Sequence, residues 1–413
     1  MNTKCAGPGL PRCLKRVACW IAFLPLAALL PATVYGLGSA IPNQNAEAIA
    51  RGNAFIASAD NASAIYYNPA AITQLEGTHL LFGAHNLVVN PQYESTDGSR
   101  SSHGFFSVAS VPQFYATYSQ KDSPLSFGVG LYAPFGLGVH WPTNTSFNTL
   151  GLQSQLTYIA FNPVVAYEVC PSLSLAVGPT INYAKVRLRQ GIGLSAGDEF
   201  VFNGTGWCFG ATAGLLWKPI EKWSVGVDYR SPTSIKFAGR STLRPYAPSE
   251  STDANLNFPQ SIGGGISYRP TPQWNFEAYL IWTDWDTIDG TTFRRASGNI
   301  PFALNWISSV MTGVGGTRYF DNGWFVSAGY FFSQHSTPEK NFTPLVPDTD
   351  LHVGSIGFGR QLKNWSYSLS AQLITGPWRD VNNSTANPNS GQTADGKWSW
   401  FNESVNFSVG YRF

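Results

Sequence analysis

The stretch WCFGATAGLLWKPIEKWSVGVDYR, residues 207–230, decides the architecture. Trp207, Phe209, Ala211, Ala213, Leu215 and Trp217 take alternate positions, with Cys208, Gly210, Thr212, Gly214 and Leu216 between them. After the short turn KPIEK, Trp223, Val225, Val227 and Tyr229 alternate with Ser224, Gly226, Asp228 and Arg230. A period of two is the mark of a strand with unlike faces. The end of the chain, VNFSVGYRF (405–413), keeps the same alternation throughout. A half-buried strand of a soluble sandwich reads the same way, so alternation alone does not choose between a lipid face and a protein core.

The spacing of the turns makes that choice. Short turns fall near 120–124, 170–172, 218–222, 269–273, 320–323 and 361–364. Longer polar stretches fall near 90–102, 134–152, 189–205, 241–253, 288–301, 335–348 and 378–397. Tight turns at one rim and long loops at the other are the pattern of an outer-membrane barrel. Trp223, Trp274, Trp324 and Trp365 each follow a short turn, in EKW, PQW, NGW and KNW. An indole at that place sits at one membrane interface, with its apolar body in lipid and its N–H in water.

Fourteen strand-like segments are expected: 77–89, 104–119, 124–134, 152–169, 173–188, 206–217, 223–240, 254–268, 274–287, 302–319, 324–334, 349–360, 365–376 and 398–413. An even number fits a single-chain bacterial barrel. The fold class is therefore all-β, a 14-stranded antiparallel transmembrane β-barrel over 77–413. The longer strands, at about 3.3 Å per residue, are taller than an apolar band of about 25 Å, so the wall should project outward.

Composition agrees. Of 413 residues only 12% are charged, against about 25% in soluble domains. Aromatics reach 14% and the mean hydropathy is −0.09, which suits one face in lipid and one in water. Residues 1–36 read as a signal peptide: Lys4, Arg12, Lys15 and Arg16 precede the apolar run Val17–Leu30, and ATVYG supplies small residues for cleavage. That run is too short to span a membrane comfortably and contains Pro25. Without those four cations the chain's 26 Lys+Arg and 24 Asp+Glu become 22 and 24, so no basic excess points to nucleic acid. Cys170 and Cys208 alone remain beyond residue 36, which is no disulfide framework. No later run is apolar for long enough to be a helical span.

Between the signal and the first strand lies NQNAEAIARGNAFIASADNASAIYYNPAAI (43–72). It resembles the N-terminal segment of the FadL/TodX family, outer-membrane transporters of long-chain fatty acids and other hydrophobic compounds. The resemblance rests on Ala50, Arg51, Gly52 and Ala54, on Ala57, Asp60, Ala62 and Ser63, and on Asn68-Pro69-Ala70. FGVGLYAPFGLGVHW (127–141), GWCFGATAGLLWKP (206–219), WSVGVDYRSPTSIKFAG (223–239) and FTPLVPDTDLHVGSIGFG (342–359) match further strands and loops in order. The terminal YRF, ending in Phe413, resembles the signal read by barrel-assembly machinery.

The resemblance implies that residues 37–76 form a plug inside the barrel, with Arg51, Asp60, Asn68, Pro69 and Ala70 as its motif. It implies capture of a hydrophobic small molecule, a fatty acid by default, movement of the plug, and lateral release through the wall near a kink in the third strand. Outer-membrane lipid and lipopolysaccharide are the surroundings, a monomer is expected, and no cofactor or metal is called for. Pro112 inside the second strand removes a ladder hydrogen bond. With Pro134 and Gly136 closing the third, it marks the candidate opening; an ordinary bulge reads the same way. NYAKVRLRQG (182–191) resembles the segment that supplies a cation for the ligand carboxylate. Lys185 is the nearest match and Arg187 shares its face. Unbroken alternation puts both on the lipid side, and a bulge near Tyr183 would be needed to turn them inward. Phe135, Leu137, Tyr279, Ile281 and Phe331 are candidate pocket linings, or wall packing. Asp228, Arg230, Glu168 and Glu277 are expected to pair inside or anchor the plug. The segment 189–205 is shorter than the helical loop that forms an outer groove in the best-known members.

Six scattered histidines and the absence of G-x-S-x-G argue against a hydrolase. A general polar porin, or uptake of aromatic hydrocarbons by the same route, are the alternatives.

Overall fold

The computed structural model describes residues 38–413. The expected signal peptide lies outside the described residues. From residue 77 onward the chain is one closed antiparallel sheet of fourteen strands. They are β1 (77–94), β2 (101–119), β3 (125–140), β4 (Gln153–Cys170), β5 (Leu173–Gln190), β6 (Glu199–Ile220) and β7 (223–244). The second half comprises β8 (247–271), β9 (274–295), β10 (300–319), β11 (Trp324–Ser333), β12 (Leu351–Gln361), β13 (Trp365–Val381) and β14 (Gly396–Arg412). Each strand pairs with the next, and β1 pairs with β14 from His79 opposite Arg412 to Val88 opposite Glu403. Closure leaves the sheet without a free first or last strand, which is what allows a sheet to stand in lipid.

Alternation sets the two faces. On β6, Trp207, Phe209 and Trp217 are exposed while Cys208, Gly204 and Leu216 are buried. The outer face is a continuous apolar coat that includes Phe82, Phe127, Val177, Leu280, Ile356 and Phe407. Trp223, Trp274, Trp324 and Trp365 all face outward beside the short turns. Trp223 stacks on Tyr268, and Arg318 and Arg360 lie over the rings of Trp274 and Trp324. Trp217 and Trp207 stand ten residues apart on β6. At about 3.3 Å per residue and a tilt of about 40°, that separation is about 25 Å, the height of the apolar band. The two indoles therefore mark the two interfaces.

The expected strand count holds, but several outer ends run further than expected. The stretch 241–253 is not a loop: β7 continues to Arg244 and β8 begins at Ala247, paired from Thr233–Phe258 upward. β6 starts at Glu199, so the loop after β5 shrinks to 191–198. β3 continues beyond its kink to His140. Above the membrane the outward row turns polar, as at Asn203, Thr205, Lys236 and Arg240, so the ladder persists after the apolar coat has ended.

Residues 38–76 precede the sheet and hold short helices at Ala46–Ala50 and Ala64–Tyr67 and a 3-10 turn at Pro69–Gln74. Nearly every residue of this segment is buried. Its hydrogen bonds reach strands on all sides: Ser408 on β14, Gln372 on β13, Glu277 and Tyr279 on β9, Ser224 on β7, Gln113 and Tyr115 on β2.

Candidate functional site

The N-terminal segment is held by side chains that satisfy its backbone. Asn68 ends the helix Ala64–Tyr67 and caps the 3-10 turn, its Oδ1 accepting from the Ala70 N–H at 3.2 Å. Its Nδ2 donates to the carbonyls of Ile56 at 2.8 Å and of Leu215 on β6 at 2.9 Å. One amide thus ties two turns of the segment to the wall. Glu277 accepts from the Ile56 and Ala57 N–H groups at 2.6 and 3.0 Å. Tyr279 donates its hydroxyl to the Gly52 carbonyl at 2.8 Å. A buried carbonyl or N–H left alone costs about 1–3 kcal/mol, so these wall residues fix the course of the segment.

Arg51 is fully buried. It pairs with Glu47, lies 3.7 Å from Asp60 and donates to the Tyr319 hydroxyl at 2.8 Å. Asp60 also meets Arg269 at 3.4 Å. The two charged motif residues lie together, and Glu47 completes the group. The wall makes room for them. A Cβ on Gly315 or Gly329 would overlap the backbone of Arg51, so both positions require glycine for the segment to lie flush against β10 and β11.

The wall is interrupted between β2 and β3. The ladder joins Phe114–Ser119 to Ser126–Leu131 and stops there. Among the described residues no rung joins 106–113 to 132–139, and the strands meet again only where the Phe105 N–H donates to the His140 carbonyl at 2.8 Å. Over this window β3 turns toward the N-terminal segment. Ala40 and Phe135 form an antiparallel bridge. Pro112 borders the window on β2 opposite Ala84 of β1, Pro134 accepts from Ile41 at the kink, and a Cβ on Gly136 would press on Ile41 at 2.8 Å.

Two cavities lie inside. The outer one is almost wholly apolar, with Leu137, Leu188, Phe202, Phe237, Phe293 and Trp306 among its walls. It is roofed by Leu345 and Val346, from a loop held down by Trp141, whose indole N–H donates to the Pro344 carbonyl at 2.9 Å. The middle cavity mixes Phe135, Ile281 and Met311 with Asn182, Thr212 and Arg230. Arg230 pairs with Asp228 at 3.0 Å and donates to the Tyr66 carbonyl, while its Nε–H has no partner. Between the cavities lies a layer of rings. Phe135 sits 5.2 Å from Tyr158, 5.0 Å from Phe258 and 6.1 Å from Trp285.

The candidate linings therefore divide. Phe135 and Ile281 border the middle cavity and Leu137 the outer one. Tyr279 and Phe331 are buried against the segment and against Gly313, away from both. The bulge proposed near Tyr183 does not form: β5 keeps one register with β4 and β6 from Leu173 to Gln190, apart from an irregularity at Glu168/Cys170. Lys185 therefore stays on the exposed, outward row. Arg187 is on that row too, at the edge of the outer cavity. Sequence reading missed Tyr158, Phe258 and Trp285, which come from separate strands and a short turn and carry no local signal. Among the described residues no group of three or more His, Cys, Asp or Glu could hold a metal.

The chain matches the family described as "Outer membrane protein transport protein (OMPP1/FadL/TodX)" over residues 28–367. It is 23% identical over 335 residues to the long-chain fatty acid transport protein of Salmonella typhi, covering 71% of this chain and 76% of that one. The fold is similar to the crystal structure of a Pseudomonas aeruginosa FadL homologue, with a TM-score of 0.82, 17% identity, and 91% and 100% of the two chains covered. It is also similar to the P. putida toluene transporter TodX, with a TM-score of 0.71, 16% identity, and coverage of 92% and 99%.

Proposed function

The chain belongs to the FadL/TodX family of outer-membrane transport proteins, and from that premise we propose that it takes up long-chain fatty acids and releases them sideways into the bilayer. The cargo enters the outer apolar cavity, passes the ring layer at Phe135, and reaches the window between β2 and β3. Residues 38–76 act as the plug. The Ala40–Phe135 bridge couples plug to kink, so that movement of residues 39–41 also moves the ring that separates the cavities. The observation that carries this reading is the missing ladder between 106–113 and 132–139, where the kinked strand pairs with residues 39–41 instead of with β2.

The energetics favour a sideways exit. Each CH₂ held out of water is worth about 0.8 kcal/mol, so a long acyl chain is delivered at far lower cost to lipid than to the periplasm. Arg230 is the lumen cation beside the path, and its free Nε–H supports brief contact with a carboxylate. The ligand that co-purifies with the barrel, identified by mass spectrometry, tests the reading: fatty acids are expected. A steady large ohmic conductance in planar bilayers would instead favour a polar porin.

A second reading has one observation in its favour. Lys185 stands on the outward row and Arg187 only borders the outer cavity from that row, so β5 places no cation deep in the chamber. Uncharged aromatic hydrocarbons would suit that chamber. Uptake of labelled oleate and labelled toluene by cells with and without the gene separates the two.

A further inference from the structure

Above the outer interface the wall carries cations that the lumen account does not use. On the outward face, Tyr183 of β5 and Trp207 of β6 stand opposite one another with ring centroids 4.8 Å apart. Trp207 marks the outer edge of the apolar band. Lys185 and Arg187 follow two and four residues beyond Tyr183 on the same row. At about 3.3 Å per residue and a tilt of about 40°, they lie about 5 and 10 Å above the band, at the depth of lipid head groups. Arg240 of β7 is at the level of Arg187, because both are in register with Asn203 of the intervening β6. Two strand spacings place them on the order of 10 Å apart.

These charges are not neutralised by the protein. Among the described residues no carboxylate lies within ion-pair distance of Lys185, Arg187 or Arg240; Arg240 donates only to the hydroxyl and carbonyl of Ser249, at 3.0 and 2.7 Å. The other charges nearby are spoken for: Glu199 pairs with Arg189 and Arg244, and Asp253 with Lys236. The outward neighbours on β4 and β6 are Gln155, Thr157, Asn203 and Thr205, which are neutral hydrogen-bonding groups. Three free cations, polar neighbours and an aromatic row directly beneath form a surface complementary to several phosphates held at a membrane surface on a lipid whose acyl chains run down the apolar coat.

We propose that Lys185, Arg187 and Arg240 form a binding site for the phosphate groups of lipopolysaccharide in the outer leaflet. The site is on the outer wall and is independent of what passes through the lumen.

The test is lipopolysaccharide retained per barrel after mild detergent extraction, counted by native mass spectrometry. The folded state of each variant is checked by its heat-modifiable gel mobility. Wild type should retain glycolipid, and the triple variant Lys185→Gln, Arg187→Gln, Arg240→Gln should bind it about fivefold more weakly for each cation removed, the scale of a basic residue at an anionic surface. Lys121→Gln with Lys222→Gln, at the turns of the opposite rim, should change nothing. In a second arm, stripped wild-type barrel should rebind diphosphorylated lipid A in preference to the dephosphorylated form, and inorganic phosphate should not displace it. Wild-type retention by the folded triple variant, equal binding of dephosphorylated lipid A, or displacement by inorganic phosphate alone would each overturn the proposal.

Discussion

Ala40 and Phe135 are joined as a two-residue sheet inside the barrel: the Ile41 N–H donates to the Pro134 carbonyl at 2.8 Å, and the Gly136 N–H donates to the Ser39 carbonyl at 2.8 Å. The kinked strand has exchanged its ladder with β2 for a ladder with the N-terminal segment. N-terminal segment, ring layer and window are thereby parts of one connected element.

Phe135→Ala should join the two cavities. The side chain closes the layer against Tyr158, Phe258 and Trp285, and truncating a packed Phe leaves a void and costs about 3–5 kcal/mol where the site cannot collapse. Permeability to small apolar solutes should rise and retention of a bound fatty acid should fall. Liposome swelling and ligand mass spectrometry read the two effects.

Asn68→Ala removes the donors to Ile56 and Leu215 and the cap on Ala70. The buried Ile56 carbonyl then loses this donor, at about 1–3 kcal/mol. The segment should loosen while the barrel stays folded. Single-channel recordings should show frequent brief openings that wild type lacks. Silent traces together with unchanged uptake would reduce the motif to a turn.

Gly315→Ala places a Cβ against the carbonyl of Arg51, whereas a Cβ on Gly264 meets nothing within 4 Å. Overpacking of this kind costs about 1–3 kcal/mol. The first variant should lower the thermal unfolding midpoint and raise conductance; Gly264→Ala, on the same kind of strand, should leave both unchanged.

The loop 191–198 should depend on pH. The Asp198 carboxylate accepts from the N–H groups of Ile192, Gly193, Leu194 and Ser195 at 2.7–3.0 Å. Removal from water pushes this carboxyl up, but those donors outweigh it and hold it at about 2. A depressed folded value means that the stabilisation is fully present above the unfolded value of about 3.9 and is lost as pH falls through about 2. Protection of the four amides from hydrogen exchange should therefore persist at pH 5 and collapse near pH 2. Asp198→Asn should show the collapsed behaviour at neutral pH.

How far the sequence could be read follows the local physics. Lipid on one side and packed lumen on the other impose a period of two, so 207–217 of β6, 223–230 of β7 and 405–413 of β14 are legible residue by residue, as is the tryptophan row. At the upper ends of β7 and β8 the inward Ser241 and Thr252 bond hydroxyl to hydroxyl, so the apolar alternation breaks there and 241–253 reads as loop. Pro112 and Pro134 signalled a weak wall, yet the bridge from Phe135 to Ala40 had no local trace, because its partner is distant in the chain. Lys185 illustrates the reverse: strict alternation placed it outside, and β5 keeps its register.

The central claim is lateral release, and the most direct measurement is oleate uptake by cells whose window is filled. Ala109 on β2 and Ala133 on β3 are buried residues at its two sides, whereas Ala278 on β9 is exposed on the outward face. With each variant confirmed as a folded barrel, Ala109→Trp and Ala133→Trp should slow uptake about tenfold, equivalent to about 1.4 kcal/mol of added barrier, and Ala278→Trp should match wild type. Wild-type uptake by both window variants would contradict the account.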